Sequence, residues 1–332
     1  MDYRKLVSRY KQFGGLRLVW EYAQLGVLLP MTKAFFRCLV KRESFKRIYP
    51  VVLKKIEPYL SERYFRFLQK RKEYYAGQTF EHHRSKIVWF CWLQGLENAP
   101  EMVKTCYASL QQHLLDREIK VIDNNNWRDY IGLPEHIVRK WEKGWIPAAN
   151  FSDLLRLELL IRYGGTWIDS TVLCTGFGTH ETQESQKYMD ADLFVFQYTP
   201  PGTTKGISIS NWFITACTNN EVLMVLRDML QEYWKDYDCM IDYYIFHLFF
   251  EMVAREFPEQ VVAMPYGNSM DSLVLLHHWE EAFNQKKWDR LTRQVCFHKL
   301  AFRVSNETKK DKNNYYNWII MGLTHGATKF GR

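Results

Sequence analysis

Two textures meet near residue 86. Before it, aromatic side chains and cations interleave at roughly helical spacing, as in Ser61-Glu-Arg-Tyr-Phe-Arg-Phe-Leu-Gln-Lys-Arg-Lys-Glu-Tyr-Tyr, and Gly77 closes the stretch. After it, Ile87-Val-Trp-Phe-Cys-Trp-Leu is an unbroken apolar run of strand length, followed by the turn signal Gln94-Gly95. Apolar residues then recur at helical spacing (Met102, Val103, Cys106, Leu110, Leu114), and Ile119-Lys-Val-Ile-Asp reads as a second strand. Strand, helix and strand within about 40 residues predict a βαβ unit with parallel strands. A charged helix is expected around 134–143. A second helix follows, opened by Asn150 or Ser152 and closed by Gly164. Thr166-Trp-Ile-Asp-Ser-Thr-Val-Leu reads as a strand, Asp192–Tyr198 as another, and Glu221–Tyr237 and Ile241–Phe257 as helices. The pattern predicts a basic, aromatic-rich helical extension over 1–85 and one α/β domain over 86–332.

Composition sharpens this division. Of 332 residues, 47% are apolar and 25% charged, which supports a sizeable core and excludes wholesale disorder. The net charge of +8 is unevenly spread. Residues 1–86 hold 20 Lys/Arg against 7 Asp/Glu, or +13, and the remainder holds 25 against 30, or −5. A basic, aromatic-interleaved segment fits either a nucleic acid or an anionic membrane surface. The acidic domain would sit poorly beside a polyanion, so no nucleic acid is expected as partner. The most apolar stretch, Leu16 to Val40, is interrupted by Glu21, Pro30, Lys33 and Arg37. It falls short of the ~20 apolar residues of a spanning helix. Seven scattered Cys without a CxxC pair suggest neither a zinc knuckle nor a disulfide framework. The opening Met1-Asp2-Tyr3-Arg4-Lys5 lacks the apolar core of a secretory signal, and the expected compartment is the cytoplasm.

Candidate chemistry follows from where ligands sit on open α/β sheets, at the carboxyl ends of strands. That rule selects Gln94-Gly95, Asp123 and Asp169, the last presented just after the Gly164-Gly165 corner. Asp153 and Arg156, three apart, share one face of an otherwise apolar helix. Each has a plainer reading. Asp153 can belong to a capping box with Asn150 and Arg156 can be its ion-pair partner. Asp169 can be a strand-end residue, and Trp89 and Trp92 can be core.

The combination resembles a known group. Asn-Phe-Ser-Asp-Leu-Leu-Arg (150–156) followed by Tyr-Gly-Gly-Thr-Trp-Ile-Asp-Ser-Thr-Val (163–172) looks like the sugar-binding DXD region of glycosyltransferase family 32 and its relatives. Those relatives include the bacterial capsular polysaccharide synthesis proteins and, more distantly, the glucosylating clostridial toxins. Lys86-Ile-Val-Trp-Phe-Cys-Trp-Leu-Gln-Gly is similar to that group's first strand. Asn211-Trp-Phe-Ile-Thr-Ala, Ile241-Asp-Tyr-Tyr-Ile-Phe-His and Phe297-His-Lys-Leu look like the capsular subgroup in particular. The resemblance covers roughly 86–320. It implies a GT-A fold (Rossmann-like, with a mostly parallel sheet) and a retaining, hexosyltransferase-like enzyme. Such an enzyme moves a sugar from a nucleotide-sugar donor to a polysaccharide or lipid-linked glycan acceptor. By the same resemblance Trp92 would stack on the base, with Gln94, Gly164, Gly165 and Thr171 beside the nucleotide sugar. Asp153 and Arg156 would hold the sugar or phosphate, and Asp169 would be the first carboxylate of the motif.

One position departs from the pattern. The second carboxylate is Thr171, a weaker ligand for Mn²⁺ or Mg²⁺. A divalent cation is still expected, held by Asp169 with His298 as a further ligand. Asp242 is the expected carboxylate on the acceptor side. Two readings compete with the enzyme: a non-catalytic nucleotide-sugar-binding relative and a basic nucleic-acid-binding protein. The basic segment is expected to attach peripherally to the inner face of the cell membrane, or else to pack as a solvated helical extension.

Overall fold

The computed structural model describes residues 14–199 and 208–324. The helices α1 (Leu16–Gln24), α2 (Leu28–Lys41) and α3 (Ile48–Ala76) come first. Strand β1 (Ile87–Cys91), α4 (Glu101–His113) and β2 (Glu118–Ile122) form the expected strand–helix–strand unit. Then come α5 (Glu135–Glu142), α6 (Ala148–Tyr163), β3 (Gly165–Asp169), β4 (Val172–Cys174), β5 (Leu193–Gln197) and β6 (Ile209–Ala216). The helices α7 (Glu221–Asp236) and α8 (Ile245–Glu256) precede several short helices, β7 (Phe297–Lys299) and the last helix, Tyr315–Thr324.

The chain forms two compact units that do not follow a linear boundary at 85/86. Met1–Thr79, Gly132–Leu157 and Glu221–Phe257 make up the first, and Phe80–Ile131, Glu158–Asn220 and Pro258–Arg332 the second.

In the first unit, α3 buries Val52, Ile56, Leu60, Tyr64 and Leu68, a ladder at four-residue spacing that gives the helix one apolar stripe. Its cations do not all face water. Arg63 and Tyr64 both donate to Asp236 (3.0 and 2.8 Å), Lys72 pairs with Glu256 (2.9 Å), and Arg71 reaches Asp228. At the end of α7 the buried Lys140 ammonium donates to the carbonyls of Trp234, Lys235 and Tyr237 and pairs with Asp238 at 2.8 Å. A cation there answers the unpaired carbonyls and the negative end of the helix dipole.

In the second unit the sheet order is β2-β1-β3-β6-β5. β2, β1 and β3 pair in parallel, whereas β6 runs antiparallel to both β3 and β5. Four of the five strands therefore share one direction, as a mostly parallel sheet requires, and β6 is the exception. Val88, Phe90, Ile168, Phe194 and Phe213 line the core with Val103 and Leu110 of α4. The strand expected from Thr166 through Leu173 divides at residues 170–171. β3 stays in the main sheet, and β4 pairs antiparallel with β7 in a second, two-stranded sheet.

Candidate active site

The corner between α6 and β3 sets the site. Gly164 ends the helix in the left-handed region (φ 65°), its N–H donating to the Leu160 carbonyl at 2.8 Å. Gly165 also has positive φ (93°), and a Cβ there would stand 2.3 Å from the Ile87 carbonyl oxygen. Only glycine lets β3 start so close to β1. The Trp89 indole N–H donates to the Gly164 carbonyl at 3.0 Å and fixes the turn from the other side. In the resulting register Cys91 stands beside Asp169. Asp169 and the chain leaving β1 at Trp92 thus come off the same, carboxyl-terminal end of adjacent parallel strands.

Asp169 is well held. Its Oδ1 accepts from the Trp167 indole N–H (2.9 Å) and its Oδ2 accepts from the Lys299 ammonium (2.7 Å). The same ammonium donates to the Thr171 hydroxyl at 2.9 Å. β7 is what delivers the lysine. Val172 pairs with Lys299 across the two-stranded sheet, and the Leu300 N–H donates to the Thr171 carbonyl at 2.8 Å. Both charged groups remain about a quarter to a fifth exposed, open to solvent on one side.

Trp92 is half-buried. Its ring meets Phe302 edge to face at 5.2 Å, and its indole N–H is buried with no hydrogen-bond partner among the described residues. Such a donor costs free energy until something accepts from it. Gln94 is exposed at the following turn, its carbonyl taken by the Asn98 side chain at 3.1 Å.

Asp153, Arg156 and Asp242 lie in the first unit. The helix carrying the pair starts at Ala148, so Asn150 is already inside its first turn and cannot cap it. The Asp153 carboxylate and Arg156 guanidinium meet at 2.7 Å, and only 6% and 4% of the two residues is exposed. The guanidinium lies 5.7 Å from the Phe246 ring centre. The imidazole of His247 is pushed down to about 4 by burial and by the Arg156 charge. Its Nδ1 and the Oδ1 of Asn150 are buried without partners among the described residues. Asp242 is also buried. It accepts from the Tyr49 hydroxyl at 3.2 Å and from the Tyr244 backbone N–H at 2.6 Å, and burial raises its pKa above the usual carboxylate range. In this structure it ties the residue just before α8 to α3.

The scan of protein families matches the capsular polysaccharide synthesis protein model over residues 36–319. The chain belongs to that family. The match starts within α2, so the family sequence includes the whole of α3 as well as the α/β part. No curated protein matches the chain. One solved structure that resembles it is described as "PaToxG Glycosyltransferase". The likeness covers 72% of this chain and 95% of that one, at 13% identity and a TM-score of 0.36.

For this capsular-synthesis protein, the residues expected to hold a divalent cation do not fit one. Both Asp169 oxygens and the Thr171 hydroxyl already accept from Trp167 and Lys299. His298 is 1% exposed and pairs with Leu173, one register step from Lys299, so strand alternation turns it to the opposite face. Its Nε2 lies 3.3 Å from the Thr175 hydroxyl, and burial holds the ring neutral, with a pKa near 4. Sequence reasoning took His298 from Phe297-His-Lys-Leu and passed over its neighbour. The signal that could have found Lys299 was the parity of that short strand together with Thr171. A motif that gives up a carboxylate has room for a cation of its own.

Proposed function

We propose that this protein is a glycosyltransferase of the GT-A type, taking a nucleotide-activated sugar as donor and a glycan, lipid-linked in the cell, as acceptor. The observation that carries the reading is the Asp169–Thr171–Lys299 cluster at the carboxyl end of β3, with Trp92 leaving the sheet at the same end. An anionic diphosphate leaving group calls for positive charge at such a place, and an aromatic ring with an unanswered N–H suits a nucleobase. Retention of configuration and a hexosyl donor remain the expectation from the family-32 resemblance. For Asp153 and Arg156 the sugar-holding role rests on the same resemblance, supported by a buried ion pair flanked by the unpartnered Asn150 and His247 atoms. Asp242 is proposed less for chemistry than for holding Tyr49.

The place of work would be the cytoplasmic face of the membrane, with α1 and α2 as the contact. α1 buries no residue and α2 buries only Cys38. Among the described residues no single helix is long and apolar enough to cross a membrane, but these two together form an apolar pair bent by 108°. Apolar helices flanked by cations suit an anionic interface.

Transfer from a panel of nucleotide sugars to lipid-linked glycan acceptors tests the enzyme reading. The wild type is expected to turn over at least one donor. Asp169→Asn should lower turnover by about 10²-fold, the usual scale for removing one preorganised electrostatic contact. Full turnover in Asp169→Asn overturns the site. Donor binding without turnover under any acceptor condition points to the non-catalytic relative instead.

A further inference from the structure

A carboxylate pair holding one divalent cation sums to zero charge. One carboxylate, one hydroxyl and one ammonium also sum to zero. The second set is the one this chain carries, in Asp169, Thr171 and Lys299, with the ammonium 2.7 and 2.9 Å from the two motif side chains. In this chain the hydroxyl at 171 and the ammonium at 299 therefore complement each other in charge. With two carboxylates the ammonium would leave a net negative site, which repels a diphosphate. With a divalent cation added to the present set, the site would carry two surplus positive charges and the ion would compete with Lys299 for the same oxygens.

We propose that Lys299 takes the place of a divalent cation in this site and neutralises the diphosphate of the donor. The inference rests on the glycosyltransferase reading and deepens it. Three features of the lysine fit the role. Its position is fixed by the β4–β7 pairing and by the Leu300–Thr171 hydrogen bond rather than by a mobile loop. An ammonium has three N–H donors, and Asp169 and Thr171 take two of them, which leaves one for a phosphate oxygen. About a fifth of the side chain is exposed, so a ligand can reach it.

In the transfer step the acceptor hydroxyl oxygen forms its bond to the anomeric carbon as the bond from that carbon to the diphosphate oxygen breaks. The diphosphate leaves with the bonding electron pair, and its oxygen takes up the acceptor's proton. Lys299 forms and breaks no covalent bond. It supplies charge where negative charge grows, from a group already oriented before the reaction.

Calorimetric titration of the full chain with UDP, GDP and inorganic pyrophosphate, each in EDTA and in millimolar Mn²⁺, tests this directly. The wild type is expected to bind at least one probe in EDTA, with Mn²⁺ changing its Kd by less than about threefold. Lys299→Met keeps most of the aliphatic stem and should weaken binding about ten- to a hundredfold, the scale of a charge-assisted contact. Lys299→Arg should recover most of it. Wild-type binding that requires Mn²⁺ overturns the proposal while leaving the donor reading intact, and so does wild-type-like binding by Lys299→Met in EDTA. Absence of binding in both buffers overturns both. The wild-type comparison of EDTA with Mn²⁺ decides the matter even if the methionine variant fails to fold.

Discussion

Asp153 and Arg156 show how differently two roles for one pair behave when it is cut. Each is almost fully buried, and they meet at 2.7 Å. Removing one partner strands the other charge away from water, which typically costs about 3–5 kcal/mol, whereas replacing both by apolar groups of similar volume is often neutral. Asp153→Ala is therefore expected to destabilise the protein by about 3 kcal/mol, and the double variant Asp153→Leu/Arg156→Met to recover most of that in urea unfolding. Activity separates the roles. If the pair holds the sugar, the stable double variant transfers nothing; if it turns over normally, the pair serves the fold alone. At this scale Asp169 was legible because a Gly-Gly corner ahead of a strand presents a side chain at its end. Lys299 was not, because its partners stand 128 and 130 positions away and no local pattern records such a meeting.

Elements with strong local punctuation were read nearly to the residue. α5 was expected over 134–143 and found at Glu135–Glu142, and β5 was expected at 192–198 and found at Leu193–Gln197. β6 was not among the strands read from the sequence, where 211–216 entered only through the family resemblance. Such an apolar run gives no direction, since it looks alike in parallel and antiparallel pairing. The break between β3 and β4 was also missed. Thr171 and Val172 continue a β-branched run, and only the competing partner β7 draws them out of the sheet. Gly165 is the element-scale position with the least freedom. Gly165→Ala combines a positive φ with a Cβ 2.3 Å from a backbone oxygen that cannot swing aside. The expected loss is about 3 kcal/mol or more, seen as a lower urea midpoint, since overpacking alone costs about 1–3 kcal/mol. Gly178, where an added Cβ meets nothing within 4 Å, is the control: Gly178→Ala should leave the midpoint within about 0.5 kcal/mol of wild type.

At the scale of the whole molecule, the +13 of residues 1–86 divides into two parts with different duties. On α3, three of the seven cations, Arg63, Arg71 and Lys72, are matched by Asp236, Asp228 and Glu256 inside the first unit. That helix belongs to one unit with 132–157 and 221–257, and its acidic partners stand 157 to 184 positions along the chain, which is why the sequence could not make the assignment. α1 and α2 differ. Arg17 stacks on Trp145 at 4.0 Å and the Tyr22 hydroxyl donates to the Ile241 carbonyl, yet Trp20 and Phe36 remain 65% and 63% exposed. Lys33 and Lys41 accompany them on α2, with Arg42 directly after it. Insertion of each large side chain into an interface gains about 1.5–3 kcal/mol, and each nearby cation about 1 kcal/mol on anionic lipid. Sedimentation with phosphatidylglycerol-rich vesicles should therefore carry down the full chain, less so in high salt or with pure phosphatidylcholine. Trp20→Glu/Phe36→Glu should lower the bound fraction at least about tenfold. Unchanged sedimentation of that variant removes the membrane role from these helices. A wild-type dimer that the same variant dissolves, without vesicle binding by either, would instead give the apolar pair to a second copy of the chain.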